Sequence, residues 1–201
     1  MRELRTAMRV ATRRSRRGHA AGGFTLIEIL MAFVVAAILM SLAAPSMTRM
    51  IFDTRIRSQA SDLVANLAIA RSEAAKRGVR VTICTSTSYT SSSPSCTGGG
   101  ASAWNTGYII FADQNGDGTF NSGTDVVLKV GEPLAGGNTL ASSGFNAPAA
   151  ADKIQYRPSG NTNLPAAGGS FKLCDSRSGD FGRLISISAT GRAVSTKTTC
   201  P

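Results

Sequence analysis

The residue in this chain that is hardest to account for is an acid. Glu28 lies inside the run 24–44, whose only other polar members are Thr25 and Ser41. A carboxylate set this deep in an apolar helix costs about 2.5–3.5 kcal/mol or more unless something pairs with it. One reading is a snorkelling or protonated acid near a helix end. The other is a counter-charge supplied from outside the segment during assembly. Elsewhere the chain is poor in catalytic groups. Its one histidine, His19, sits in a short arginine-rich stretch before the apolar run, and neither Ser-x-x-Lys nor Gly-x-Ser-x-Gly occurs. Without an imidazole beyond that stretch, most acid–base and hydrolase mechanisms lose their usual proton carrier, so no enzyme is expected.

Two further groups of residues could bind or cross-link. Asp113-Gln114-Asn115-Gly116-Asp117-Gly118 starts like a calcium loop, but the twelfth position, where a bidentate glutamate belongs, is Thr124. Asn-Gly and Asp-Gly are also strong hairpin signals, so a turn is preferred over a bound cation, and no metal or cofactor is expected. Four cysteines, Cys84, Cys96, Cys174 and Cys200, are even in number and form no Cys-x-x-Cys, which favours disulfides over a metal knuckle. They allow three connectivities. Cys84 with Cys96 would close a Ser/Thr-rich loop, and Cys174 with Cys200 would tie the last strands to the tail, each worth about 3 kcal/mol by loop entropy.

The elements that must position these residues can be read from pattern and charge. The chain has 201 residues, enough for one domain with a real core, and a net charge of +10. Residues 1–23 hold seven arginines against Glu3, leaving only +4 for the rest. That remainder is mildly cationic and by itself identifies no partner. About 20 apolar residues span a bilayer as a helix, so residues 24–45 read as a membrane segment. The preceding arginines hold the leader on the cytoplasmic side and place the later residues in the periplasm, where disulfides form. Beyond Pro45, the residues Ile56, Ala60, Leu63, Leu67, Ala70 and Ala74 recur at spacings of three and four. Arg57, Asp62, Asn66, Glu73 and Lys76 fall mostly elsewhere around this amphipathic half, 46–78, which Gly78 should stop. A helix over residues 24–77 would be about 80 Å long. From residue 79 onward the period shortens to two. Short strands are expected at 79–84, 108–111, 126–130, 153–157, 171–174 and 184–188, within a β-rich domain over 79–201.

In an ordinary secretory signal the apolar stretch precedes the cleavage site; here Gly23 precedes the apolar stretch. Gly23-Phe24-Thr25-Leu26-Ile27-Glu28 resembles the type IV prepilin signal. The resemblance implies that a prepilin peptidase cuts between Gly23 and Phe24, removes the leader 1–23 and N-methylates Phe24. It also implies that Glu28 is neutralised by the Phe24 amine of a neighbouring subunit. Later motifs narrow this. Gly107-Tyr108-Ile109-Ile110-Phe111-Ala112-Asp113 resembles a strand of the GspH/FimT family of pilin-like proteins, and 173–177 and 187–192 resemble its last two strands. The implied fold is α+β: one long amino-terminal helix, half in the membrane and half amphipathic, packed on an antiparallel β domain.

The function this resemblance implies is assembly with other pilins or pseudopilins into a helical filament. The chain is read as a minor, priming or tip subunit of a type IV pilus, anchored in inner-membrane lipid before assembly. Its rivals are the minor pseudopilin H of a type II secretion system and a pilus-associated DNA receptor. DNA-binding members of the family carry Gly-Arg-x-Arg near the carboxyl end; here the second arginine is missing, since Gly191-Arg192 is followed by Ala193-Val194. Arg177, Arg183, Arg192 and Lys197 would then have to make the phosphate contacts.

Overall fold

The computed structural model describes residues 23–145 and 151–201, and leaves the side chains of 42–45 undescribed. The leader arginines and His19 lie outside the described residues. The chain divides into two compact units, Met1–Pro45 and Ser46–Pro201. One helix, α1 (Leu26–Arg77), contributes to both.

In the first unit the helix starts two residues after Phe24, where the Thr25 hydroxyl accepts a hydrogen bond from the Glu28 backbone N–H at 3.3 Å. A short oxygen-bearing side chain placed here satisfies one of the donors that every helix start leaves open. The described apolar side chains of this unit face outward almost without exception.

The second unit buries its apolar side chains. Ile56, Ala60, Leu63, Leu67, Ala70 and Ala74 all lie inside, as their spacing predicts. The helix ends at Arg77 because Gly78 takes a left-handed φ of 67° and its N–H bonds back to the Ala74 carbonyl. The strands are β1 (Arg80–Thr85), β2 (Tyr108–Asp113), β3 (Val126–Gly131), β4 (Thr139–Ser143), β5 (Lys153–Tyr156), β6 (Gly169–Cys174), β7 (Gly179–Ile187) and β8 (Ala193–Cys200). They form two four-stranded sheets, ordered β3-β2-β1-β5 and β4-β6-β7-β8, with every pairing antiparallel. Period-two alternation turns Val81, Ile83, Ile110, Ile154, Phe171, Leu173, Ile185 and Ile187 inward to meet the helix. Trp104 fills the centre, with its ring 4.7 Å from that of Phe171 and its indole N–H donating to the Ala151 carbonyl at 2.8 Å.

β4 and β8 have no counterpart among the expected strands. β4 reads Thr-Leu-Ala-Ser-Ser, with one large apolar side chain, and β8 is polar and mostly exposed. Hydrogen bonding to β6 and β7 makes them strands, and local pattern does not disclose it. Asn66 departs from expectation too. It is buried, and its side-chain N–H donates to the Tyr108 hydroxyl at 2.6 Å.

Candidate functional site

Glu28 is exposed on the first described turns of α1. Phe24, Ile29, Ala32, Phe33 and Ala36 line one side of the helix with it, forming a shallow apolar trough that includes the carboxylate. Phe24 and Phe33 are 78 % and 71 % exposed. Apolar side chains displayed all round a helix need cover from lipid or from other helices. Among the described residues no single helix is long and apolar enough to cross a membrane. The runs Leu26–Ser41 and Ser46–Arg77 meet that requirement only when taken together.

The cysteines form two disulfides, Cys84–Cys96 and Cys174–Cys200, with Cα atoms 5.5 and 5.8 Å apart, and no cysteine is free. Cys84–Cys96 pins a loop whose Thr87, Thr97, Ser88 and Ser95 hydrogen-bond to one another. With Tyr89 and Phe120 it covers a small outer core of Cys84, Ile109 and Phe111, so that β2 is buried on both faces. Cys174–Cys200 joins the end of β6 to the end of β8. A Cβ at Gly182 would lie 2.5 Å from the Cys200 sulfur, so only glycine admits the bridge at the β7 bulge.

The loop that resembles a calcium site is filled by its own backbone. Asp113 is buried and accepts from the N–H groups of Gly116 and Gly118 at 2.7 and 2.9 Å, from the Thr82 hydroxyl and from the Gln155 amide. Asp125 accepts from Gln114 N–H and Asn121 N–H, both at 2.9 Å. The Thr119 N–H bonded to Asp117 leads the interactions that hold its carboxyl below the usual range against some burial, and Asn115 and Asn121 assist. The motif therefore builds a turn that lays Phe120 against Phe111, with ring centroids 5.4 Å apart. Among the described residues no cluster of His, Cys, Asp or Glu is arranged to hold a metal.

The four carboxyl-terminal cations separate. Arg177 lies in the β6–β7 loop with its side chain 17 % exposed, bonded to Asp53 of α1 at 2.8 Å and to Asp175 at 2.7 Å. Its guanidinium also stands 5.3 and 4.2 Å from the ring centroids of Phe52 and Phe181. Burial alone would raise the Asp175 carboxyl, but the hydrogen bonds and charge of Arg177 outweigh it and hold it low. The carboxylates in turn raise the Arg177 guanidinium. Arg183 and Lys197 face each other across β7 and β8, near Phe181 and Arg57. Arg192 stands in the turn of this hairpin, beside Ser143 and Ser188. Four residue pairs lie between the Arg183–Lys197 pair and the turn that carries Arg192. Sequence reasoning did not find the Arg177–Asp53 link; the partners are far apart along the chain, and no local signal marks them.

No curated protein matches the chain. Among solved structures, the type IV minor pilin FimU of Pseudomonas aeruginosa strain PAO1 is 21 % identical with a TM-score of 0.50, over 74 % of this chain and 90 % of that one. A second crystal form of FimU is 20 % identical with a TM-score of 0.49, over 72 % and 99 %. At such identities the first likeness speaks for the fold. A model described as prokaryotic N-terminal methylation motif matches residues 19–44. The family model described as type II transport protein GspH matches residues 59–191, most of the folded unit. The outward apolar helix, the two antiparallel sheets and these matches agree: the chain belongs to the GspH/FimT family of pilin-like proteins, membrane-anchored structural subunits of type IV pili or type II secretion pseudopili, not enzymes.

Proposed function

We propose that the chain is a minor pilin that primes or tips a type IV pilus. Prepilin peptidase cuts between Gly23 and Phe24 and N-methylates Phe24. Residues 24–45 anchor the protein in inner-membrane lipid, residues 46–78 join the anchor to the folded domain, and residues 79–201 stand in the periplasm. On extraction, the helix enters a bundle with other pilins. The observation that carries this reading is Glu28, a carboxylate alone on an exposed apolar trough. Its own helix supplies no side-chain cation within the described residues before Arg49. The Phe24 amine of a neighbour would neutralise it in a low-dielectric bundle, and that requirement sets the register between subunits.

The second reading, a minor pseudopilin of type II secretion, is favoured by the description of the matching family model. A DNA-receptor role has less geometric support, because Arg177 is bonded to two carboxylates. Deleting the gene and scoring surface pili and exoprotein release in the same cultures separates these readings. Lost pili with normal secretion is the expected result. Retained pili with exoproteins trapped in the periplasm would establish the pseudopilin instead, and pili and secretion both intact with DNA uptake lost would establish the receptor.

A further inference from the structure

The folded unit begins at Ser46, directly after the apolar run, and its first helical turns expose large apolar side chains. Met47, Met50 and Ile51 are 64 %, 70 % and 54 % exposed, and Arg49 is exposed beside them. A shallow cleft lined by Ser46, Arg49, Met50 and Arg57 shares Asp53 and Arg57 with a second cleft. The second is walled by Phe181, Arg183 and Lys197. The two make one continuous strip running from Ser46 to the β7–β8 hairpin. Phe181 stands at its edge, 43 % exposed although large and apolar.

Cations outnumber carboxylates on the strip, which carries Arg49, Arg57, Arg183 and Lys197 against Asp53 and the exposed Asp180. Asp53 and Asp175 are both bonded to Arg177, and Asp180 accepts from the Thr199 hydroxyl at 2.6 Å. Arg49, Arg57, Arg183 and Lys197 have no carboxylate within ion-pair distance among the described residues, and all but the half-buried Arg183 are exposed. Cations on long stems mixed with exposed Met, Ile and Phe are what a phospholipid headgroup layer accepts, because the stems and rings enter it while the charges meet phosphate. Chain connectivity keeps the strip close to such a layer. Asp53 is seven residues past Ser46, about 10 Å along a helix, and the headgroup layer with its counter-ion atmosphere extends about as far from the hydrocarbon.

We infer that the Ser46–Lys197 strip, with Phe181 as its apolar contact, is a docking face for anionic phospholipid, seating the folded unit on the membrane surface before assembly. This rests on the membrane-anchored reading above. The face opposes extraction electrostatically until partner helices displace lipid from it.

The test uses the full chain carrying Phe181→Trp in nanodiscs of phosphatidylcholine alone or mixed with phosphatidylglycerol, each with a trace of headgroup-nitroxide lipid. The buried Trp104 supplies a constant background. Quenching at position 181 should be at least about twofold greater in the anionic discs and should fall back in high salt, where surface electrostatics are screened. Replacing Arg57, Arg183 and Lys197 with alanine should abolish the difference. A parallel Phe33→Trp chain in discs with brominated acyl chains reads the anchor itself. Quenching at position 33 with weak, composition-independent quenching at 181 would overturn the docking face alone, whereas no quenching at 33 would remove the anchor reading and the face with it. If low-salt duplex DNA, not the anionic disc, perturbs position 181, the strip is a nucleic-acid surface and the inference fails.

Discussion

The two units of this chain treat the same side chains in opposite ways. In Met1–Pro45 the described leucines, isoleucines and phenylalanines face out; in Ser46–Pro201 they mostly face in. Composition does not explain the difference, since both units are rich in aliphatic residues; periodicity does. Beyond Pro45 apolar residues return every three or four positions, leaving a polar side for water and one stripe for the sheets. Before it they fill the whole circumference, so no single partner face can bury them and the solvent must be lipid or other helices. One unit stabilises itself, and the other is incomplete by construction.

The sharpest way to break this contrast is Glu28→Ala. Assembly into filaments should be lost or fall by an order of magnitude on immunoblots of sheared surface fractions. Chemical unfolding of the folded unit should not move, because Glu28 lies outside its core. A shift in unfolding would make the units interdependent. Next in size is Trp104→Ala, which removes the largest side chain from the centre of the folded unit and should cost about 3–5 kcal/mol in denaturant titrations, with membrane insertion unaffected. Replacing Cys174 and Cys200 together with serine should cost about 3 kcal/mol. The same change at Cys84 and Cys96 should cost about 0.7 kcal/mol less, since the loop it closes is shorter by about half.

Arg177→Met should cost about 1–3 kcal/mol by leaving the buried Asp175 carboxylate unpaired. The pH dependence has a definite sign. The Asp175 carboxyl is held low in the folded state, so its contribution is present above its unfolded value of about 4 and disappears as pH falls below that. Wild type should lose stability in that window more steeply than the methionine variant; parallel profiles would show that Asp175 does not titrate with folding. The smallest effect expected concerns the Asp113 loop, where millimolar calcium should move the melting temperature by less than about 1 °C, because backbone N–H groups already occupy the carboxylates. A rise of several degrees would reinstate the cation site.

Much of the helical half is legible in the order of residues alone. The stripe from Ile56 to Ala74 lies buried, and Gly78 ends the helix where its φ requires glycine. Strands with strong alternation, such as those around Val81 and Ile185, are equally plain. β4 and β8 are hidden because their residues carry little pattern, and a strand on a sheet edge needs only a paired neighbour. The partners of the carboxyl-terminal cations are hidden for a related reason. Counting cations near the carboxyl end cannot tell that one of them, Arg177, is bonded to Asp53 and Asp175, or that Arg183 and Lys197 pair across two strands.

By itself the sequence determined what depends on order along the chain: the prepilin-like motif around Gly23 and Glu28, the apolar run, the change of period after residue 78 and the pilin-like class. Those signals are local, because a helix repeat, a strand repeat and a charge in an apolar segment are set by neighbours within a few residues. Only the tertiary structure decided which carboxylates Arg177 meets, that the Asp113 loop satisfies itself, and which cations gather beside Phe181. Each of these depends on contacts between elements brought together by folding, and such contacts exist only once both sheets have closed on the helix.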